Sequence, residues 1–183
     1  METSKRITEE KIIQNPWILQ HTPPEVISYD LCLLAAKYAK PRLGQNINIL
    51  QLIPKPLLTN EICMYAVEND GQALVDVPVE FRNKKLCLKA VRQYGEALAN
   101  VPVTIIDREI AWAAVSEYGL AFIYVPERFR TEELALQAVR TAPFILEWIP
   151  EELKSYAVCL RAALRHPHLF QYVPPEIAQL MLD

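Results

Sequence analysis

The sequence predicts an all-α fold, an α-solenoid of tandem helix-pair repeats, and three regularities point to it. Prolines recur at Pro23, Pro54, Pro78, Pro102, Pro126, Pro150 and Pro174, and the last six keep an even period of about 24 residues. The sixth position of each repeat is Ser28, Thr59, Asn83, Asp107, Thr131 or Ser155, the residue types whose side-chain oxygen caps the unpaired N–H groups of a helix's first turn. Some three turns further on stand Gly71, Gly95 and Gly119, or Pro143 and Pro167. Glycine there suits a left-handed helix end, and proline cannot continue a helix.

Taken in order, a partial unit runs from about Ser4 to Thr22, and its N-terminal capping role covers 1–22. A first repeat at 23–53 fits the template if a stretch from Pro41 to Ile47 forms a longer loop. Five regular repeats occupy 54–173, and PPEIAQLMLD at 174–183 closes the chain as a C-terminal cap. All of these belong to a single predicted domain, 1–183. In each repeat the capped segment reads as a helix of three turns. The remaining stretch, such as QALVDV, leaves room for one short helix before Val-Pro forces an extended connection.

On the longer helix the ninth, tenth, eleventh, thirteenth and fourteenth positions are apolar, as in Ile62, Cys63, Met64, Ala66 and Val67. At about 100° per residue they span roughly 200°, so the helix is expected to be packed on both sides. The thirteenth position is alanine in all six repeats: Ala35, Ala66, Ala90, Ala114, Ala138 and Ala162. Helices approaching too closely for a larger side chain would explain it. The leading unit has Lys11 there, as a unit without a preceding neighbour should.

Composition narrows the function classes. At 183 residues and 51% hydrophobic, with four glycines, the chain has enough apolar surface for a continuous core and no low-complexity linker. A net charge of −3 lacks the basic excess of a general nucleic-acid binder. The charged start METSKRITEE is unlike a signal peptide, and no apolar run reaches the length of a membrane span. The expected location is the cytoplasm, or a host cell if the protein is delivered as an effector.

The four cysteines, Cys32, Cys63, Cys87 and Cys159, all fall at the tenth position, where the other repeats have Ala111 and Ala135. They are expected to be small buried side chains with free thiols, because equivalent helices about 8–10 Å apart exceed disulfide reach. His166 and His168 flank Pro167 in a helix-ending loop, with no Cys or carboxylate cluster spaced to complete a metal site. No phosphate-cradling glycine loop or nucleophile motif is present, so no enzyme activity, cofactor, metal site or catalytic residue is expected.

Two surfaces remain as binding candidates. Charges on the longer helices alternate: Glu61 and Glu68, then Lys85, Lys89 and Arg92, then Glu109 and Glu117, then Glu133 and Arg140, then Arg161 and Arg165. A ladder of opposite charges between neighbours is the expected use, each exposed pair contributing at most about 1 kcal/mol. On the short helices the nineteenth and twenty-third positions share a face. They hold Gln72 with Asp76 and Glu96 with Asn100, and then Leu120 with Tyr124, Phe144 with Trp148, and His168 with Tyr172. Trp17 and His21 repeat the pattern near the N-terminus. This aromatic strip is either inter-repeat core or the docking surface for a protein partner, with Tyr124 and Trp148 as anchors.

The segments AVENDGQALVDVP, AVRQYGEALANVP and AVSEYGLAFIYVP resemble the short helical repeats of a bacterial domain family of unknown function, in which an Ala-Val helix, a Gly turn and an Ala-Leu helix recur. The resemblance spans nearly everything from Pro23 onward and implies an α-solenoid, without implying a reaction or any functional positions. Pro143 and Pro167 in place of glycine, and the loop near Pro41, depart from that pattern. The expected role is a protein-interaction scaffold acting as an effector or inhibitor through Leu120, Tyr124, Phe144, Trp148, His168 and Tyr172. The alternatives are a nucleic-acid-binding helical repeat and a self-associating structural element.

Overall fold

The computed structural model describes residues 8–41 and 47–182. Ser4, at the start of the partial unit, and positions 42–46 of the predicted loop lie outside the described residues. Within the described residues the chain is helical with no strand, an all-α tandem repeat fold. The α-helices are α1 Glu9–Gln14, α2 Tyr29–Tyr38, α3 Asn60–Asn69, α4 Lys84–Gln93, α5 Arg108–Glu117, α6 Glu132–Thr141, α7 Tyr156–Ala163 and α8 Pro175–Leu182. Two compact units follow one another along the chain, Met1–Ala90 and Val91–Asp183, with the division inside α4.

Each helix from α2 to α7 starts where its cap residue dictates. The side chains of Ser28, Thr59, Asn83, Asp107, Thr131 and Ser155 each accept a hydrogen bond from the backbone N–H three residues on, at distances between 3.0 and 3.4 Å. The bond to Ile110 N from Asp107, at 3.0 Å, adds a carboxylate at the positive end of α5.

The shorter element is a six-residue 3-10 helix at Pro16–His21, Gly71–Asp76, Gly95–Asn100, Gly119–Tyr124, Pro143–Trp148 and Pro167–Tyr172, and a four-residue one, Ile49–Leu52, in the first repeat. A three-residue 3-10 turn also follows the repeat proline, as at Lys55–Leu57 and Glu127–Phe129. Within the second unit, α5, α6 and α7 pack side by side in one layer while the six-residue segments pack side by side in another. Each of these helices sits between the 3-10 segment of the preceding repeat and its own. In the first unit α1, α2 and α3 pack in the same consecutive way.

The glycines do a different job from the one the sequence suggested. The residue before each is extended, φ −146° at Tyr94 and −142° at Tyr118, and Gly95 and Gly119 then open their 3-10 segments without a left-handed turn. Their need is space. A Cβ on Gly95 would meet the carbonyl oxygen of Ala114 and, at 2.7 Å, the Cβ of Tyr118. On Gly119 it would meet the Ala138 carbonyl and, at 2.8 Å, the Cβ of Ala142. Pro143 and Pro167 occupy the same first position of their segments, where the missing N–H costs nothing.

The alanine column is the other half of this contact. Ala35, Ala66, Ala90, Ala114, Ala138 and Ala162 are all buried, and the equivalent Lys11 is exposed. The ninth, tenth and fourteenth positions are also buried, as Ile62, Cys63 and Val67. The eleventh is not: Met64, Leu88 and Leu160 are half-buried, and Trp112 and Leu136 are exposed. The buried arc is therefore narrower than the apolar pattern implies, because the helix layer has nothing packed on its far side among the described residues.

Lateral bonds tie neighbouring repeats. Asn69 donates to the carbonyls of Ala36 and Lys37 at 2.8 and 3.0 Å, closing the end of α2. Arg82 donates from Nε to the Val77 carbonyl at 2.8 Å and from its guanidinium to the Val75 carbonyl. Arg130, two repeats later, does the same with Val125 at 2.8 Å and Ile123 at 3.1 Å. These charge-assisted bonds satisfy carbonyls at the end of a 3-10 segment.

All four cysteines are buried and unpaired. Burial pushes each thiol up to about 11 from its ordinary value near 9. A thiol whose folded value is raised gives stability that is complete below the unfolded value and declines as pH rises through the folded one.

Two predictions come from this packing. Ala114→Leu and Gly119→Ala should each destabilise the fold by about 1–3 kcal/mol through overpacking, read as a lower urea midpoint, whereas Lys11→Leu should cost much less. An unchanged midpoint for Gly119→Ala would show that the close approach to Ala138 is absent. Denatured protein should take four alkyl labels without prior reduction. Native stability should hold to about pH 9 and then fall toward about pH 11, and Cys63→Ala should flatten that fall, since alanine serves the tenth position in two other repeats.

Candidate functional site

The 3-10 segments of the second unit place the strip residues one repeat apart on adjoining elements. Side chains at the twentieth and twenty-first positions, Ala121, Phe122, Ile145 and Leu146, turn inward and are buried. The nineteenth and twenty-third positions are left facing outward. Tyr124 is 40% exposed, Phe144 50% and Trp148 56%. His168 is exposed, and Leu120 and Tyr172 are half-buried.

Contacts within the strip differ along its length. Phe144 stacks on His168 with ring centroids 5.6 Å apart and lies 4.8 Å from His166. The Tyr172 phenol is raised above its ordinary value by desolvation and then by the nearby Glu147 carboxylate. Trp148 and Tyr124 carry no such ring contact among the described residues. Inter-repeat stacking therefore accounts for Phe144 with His168, and it does not bury the two residues expected to anchor a partner.

Trp17 does not extend the pattern. It is buried in the core of the first unit with Leu19, while His21 is exposed. The polar pair of the first unit, Gln72 with Asp76, also has a structural role. Asp76 accepts hydrogen bonds from Asn48 and, at 2.8 Å, from Gln51. Those side chains bridge successive 3-10 segments at positions where the later segments of the second unit carry aromatic rings.

The charge ladder forms only in part. Lys89 pairs with Glu68, and Arg92 with Glu109 at 3.1 Å. Among the described residues, Glu133, Arg140, Arg161 and Arg165 make no ion pair, and Leu136, Leu160 and Leu164 lie between the charged positions there. Sequence reasoning missed this exposed apolar ridge by assigning the eleventh position to the core. The signal that could have revealed it was Trp112, too large for a position filled elsewhere by leucine and methionine.

Among the described residues no group of three His, Cys, Asp or Glu side chains is placed to hold a metal ion. No helix among them is long and apolar enough to cross a membrane.

Comparison with known families places three stretches, residues 59–105 and the mutually overlapping 107–154 and 131–178, in a domain of unknown function, DUF4116. Comparison with curated proteins found no match, and comparison with solved structures found none either. Each stretch begins on a helix cap, Thr59, Asp107 or Thr131, and the last two starts are one repeat apart, so one family unit spans two of the repeats described above. Arg82, Arg130 and Lys154 fall at the same place in their respective stretches, near the middle of the unit. With well over half of its length matched, the chain belongs to the DUF4116 family.

Proposed function

We propose that the protein is a protein-binding scaffold, without enzymatic activity, that docks a partner on the aromatic strip of its C-terminal repeats. One observation supports this above others: Tyr124, Phe144 and Trp148 stand exposed at equivalent positions of consecutive segments. Large rings left in water are an unfavourable use of apolar area unless a partner covers them. Tryptophan and tyrosine on a rigid support are the side chains that most often concentrate binding energy, since few rotamers are lost on contact. The support here is rigid, because each segment is anchored by the buried residues between the exposed ones.

Leu120, His168 and Tyr172 frame the anchors, and the partial burial of Leu120 and Tyr172 suits the surrounding ring that excludes water from a hot spot. An effector or inhibitor role is compatible with such a surface, which would recruit or occlude its partner without changing it chemically.

Affinity enrichment from the native cells with wild type, followed by titration of the recovered partner, tests the reading. Tyr124→Ala and Trp148→Ala should each weaken binding by about 2 kcal/mol or more, roughly 30-fold in Kd, with the urea midpoint unchanged. Equal affinity for wild type and both variants would overturn the strip as the docking surface. A salt-dependent association with single-stranded nucleic acid, or a concentration-dependent size lost in Trp148→Ala, would replace it with one of the alternatives.

A further inference from the structure

A second surface lies on the α-helical layer of the same unit, on α5, α6 and α7 and not on the 3-10 segments. Trp112, Leu136, Leu160 and Leu164 floor an open groove of about 780 Å³, and Arg140 and Arg161 stand over it. Trp112 is 48% exposed and Leu164 72%. From this we infer that the groove docks an acidic amphipathic helix of a partner protein.

Shape, charge and spacing support that occupant. The groove is open along one side, so a small molecule within it would keep much of its surface in water, whereas ligand pockets bury most of theirs. A helix laid along the groove would bury one apolar face and leave the other solvated. The leucines come from adjacent helices, which lie about 8–10 Å apart in such packing. That matches anchors presented by a single helix at i, i+3, i+4 and i+7.

Charge selects the sign of the partner. Among the described residues neither Arg140 nor Arg161 is paired with a carboxylate, and Arg165 follows shortly after Arg161 in the chain. Glu133, also at the groove, is the single acid lining it. Beyond Trp112 the balance changes, because Arg92 is neutralised by Glu109. Unpaired guanidiniums beside exposed leucines favour carboxylates next to apolar anchors, since arginine forms bidentate bonds with them.

The test uses fluorescein-labelled helical peptides of about 14 residues, roughly 21 Å long, with leucine at i, i+3, i+4 and i+7. One carries glutamate elsewhere, one carries lysine, and one is a scrambled acidic control. The acidic helix should bind the full chain saturably with a micromolar Kd, at least about 10-fold more tightly than the other two. The double variant Arg140→Glu with Arg161→Glu should reverse the preference between acidic and basic helices. Trp148→Ala should leave it unchanged, so failure here and failure of the aromatic strip are distinguishable. Equal binding of all three peptides, absence of saturation up to about 1 mM, or loss of binding in Trp148→Ala would overturn the inference. So would a wild-type dimer in sedimentation that Leu136→Asp converts to monomer, which would assign the groove to a second copy of the chain.

Discussion

The close approach of the 3-10 segments at Gly95 and Gly119 to the helix of the next repeat is the constraint on which the rest of the second unit depends. Where Gly95 lies on the Ala114 carbonyl and Gly119 on that of Ala138, there is no room for a Cβ on one side. On the other, the helix residue at the contact, Ala114 or Ala138, carries only a methyl group. The two small residues fix the separation of the layers, and from that separation follow the depth of the core and the size allowed at each position. Isoleucine, leucine or valine fills the ninth position, cysteine or alanine the tenth, and valine or alanine the fourteenth. A larger residue at the contact would push apart two backbones, which have no rotamer to change.

Much of this was legible in the residues because it is local and repeated. A serine, threonine, asparagine or aspartate at the sixth position caps its own helix whatever surrounds it, and six such residues did so. The alanine column was legible for the same reason, since one position in six repeats samples one environment. The glycines were misread because two physical needs select the same residue. A left-handed turn and a close contact both reject a Cβ, and only the backbone geometry around Tyr94 and Tyr118 separates them. The tighter winding of a 3-10 helix also cannot be told from that of an α-helix over so short a segment.

The surfaces were less legible than the core. Tyr124 and Trp148 stood out because the same positions are polar in earlier repeats, a contrast within one chain. Trp17 occupies an equivalent position and is buried, as is Leu19 of the same segment, so the position alone does not decide exposure. The helical groove was hidden by its composition. Leucine at the eleventh position looks like core in any single repeat, and whether a further layer covers it is a property of the assembly. Charge gave a partial hint, since among the described residues Arg140 and Arg161 have no acidic partner while Arg92 does.

The placing of the arginine clamp bears on how such a chain can change length. Through four regular repeats the fifth position alternates, Leu58, Arg82, Ile106 and Arg130. Arg82 and Arg130 hold carbonyls at the end of the preceding segment, and Ile106 between them is buried. In the last repeat Lys154 keeps the positive charge but donates to Glu151 at 2.6 Å, a variant at the end of the series. The interior of the array is thus built from paired modules in which one member is clamped by a cation and the other is sealed by an aliphatic side chain. Gain or loss of a single interior repeat would bring two members of the same kind together, two clamps or two seals. Gain or loss of a pair would preserve the alternation between Leu58 and Arg130, whereas the flanking repeats already set like beside like, Ile27 before Leu58 and Arg130 before Lys154.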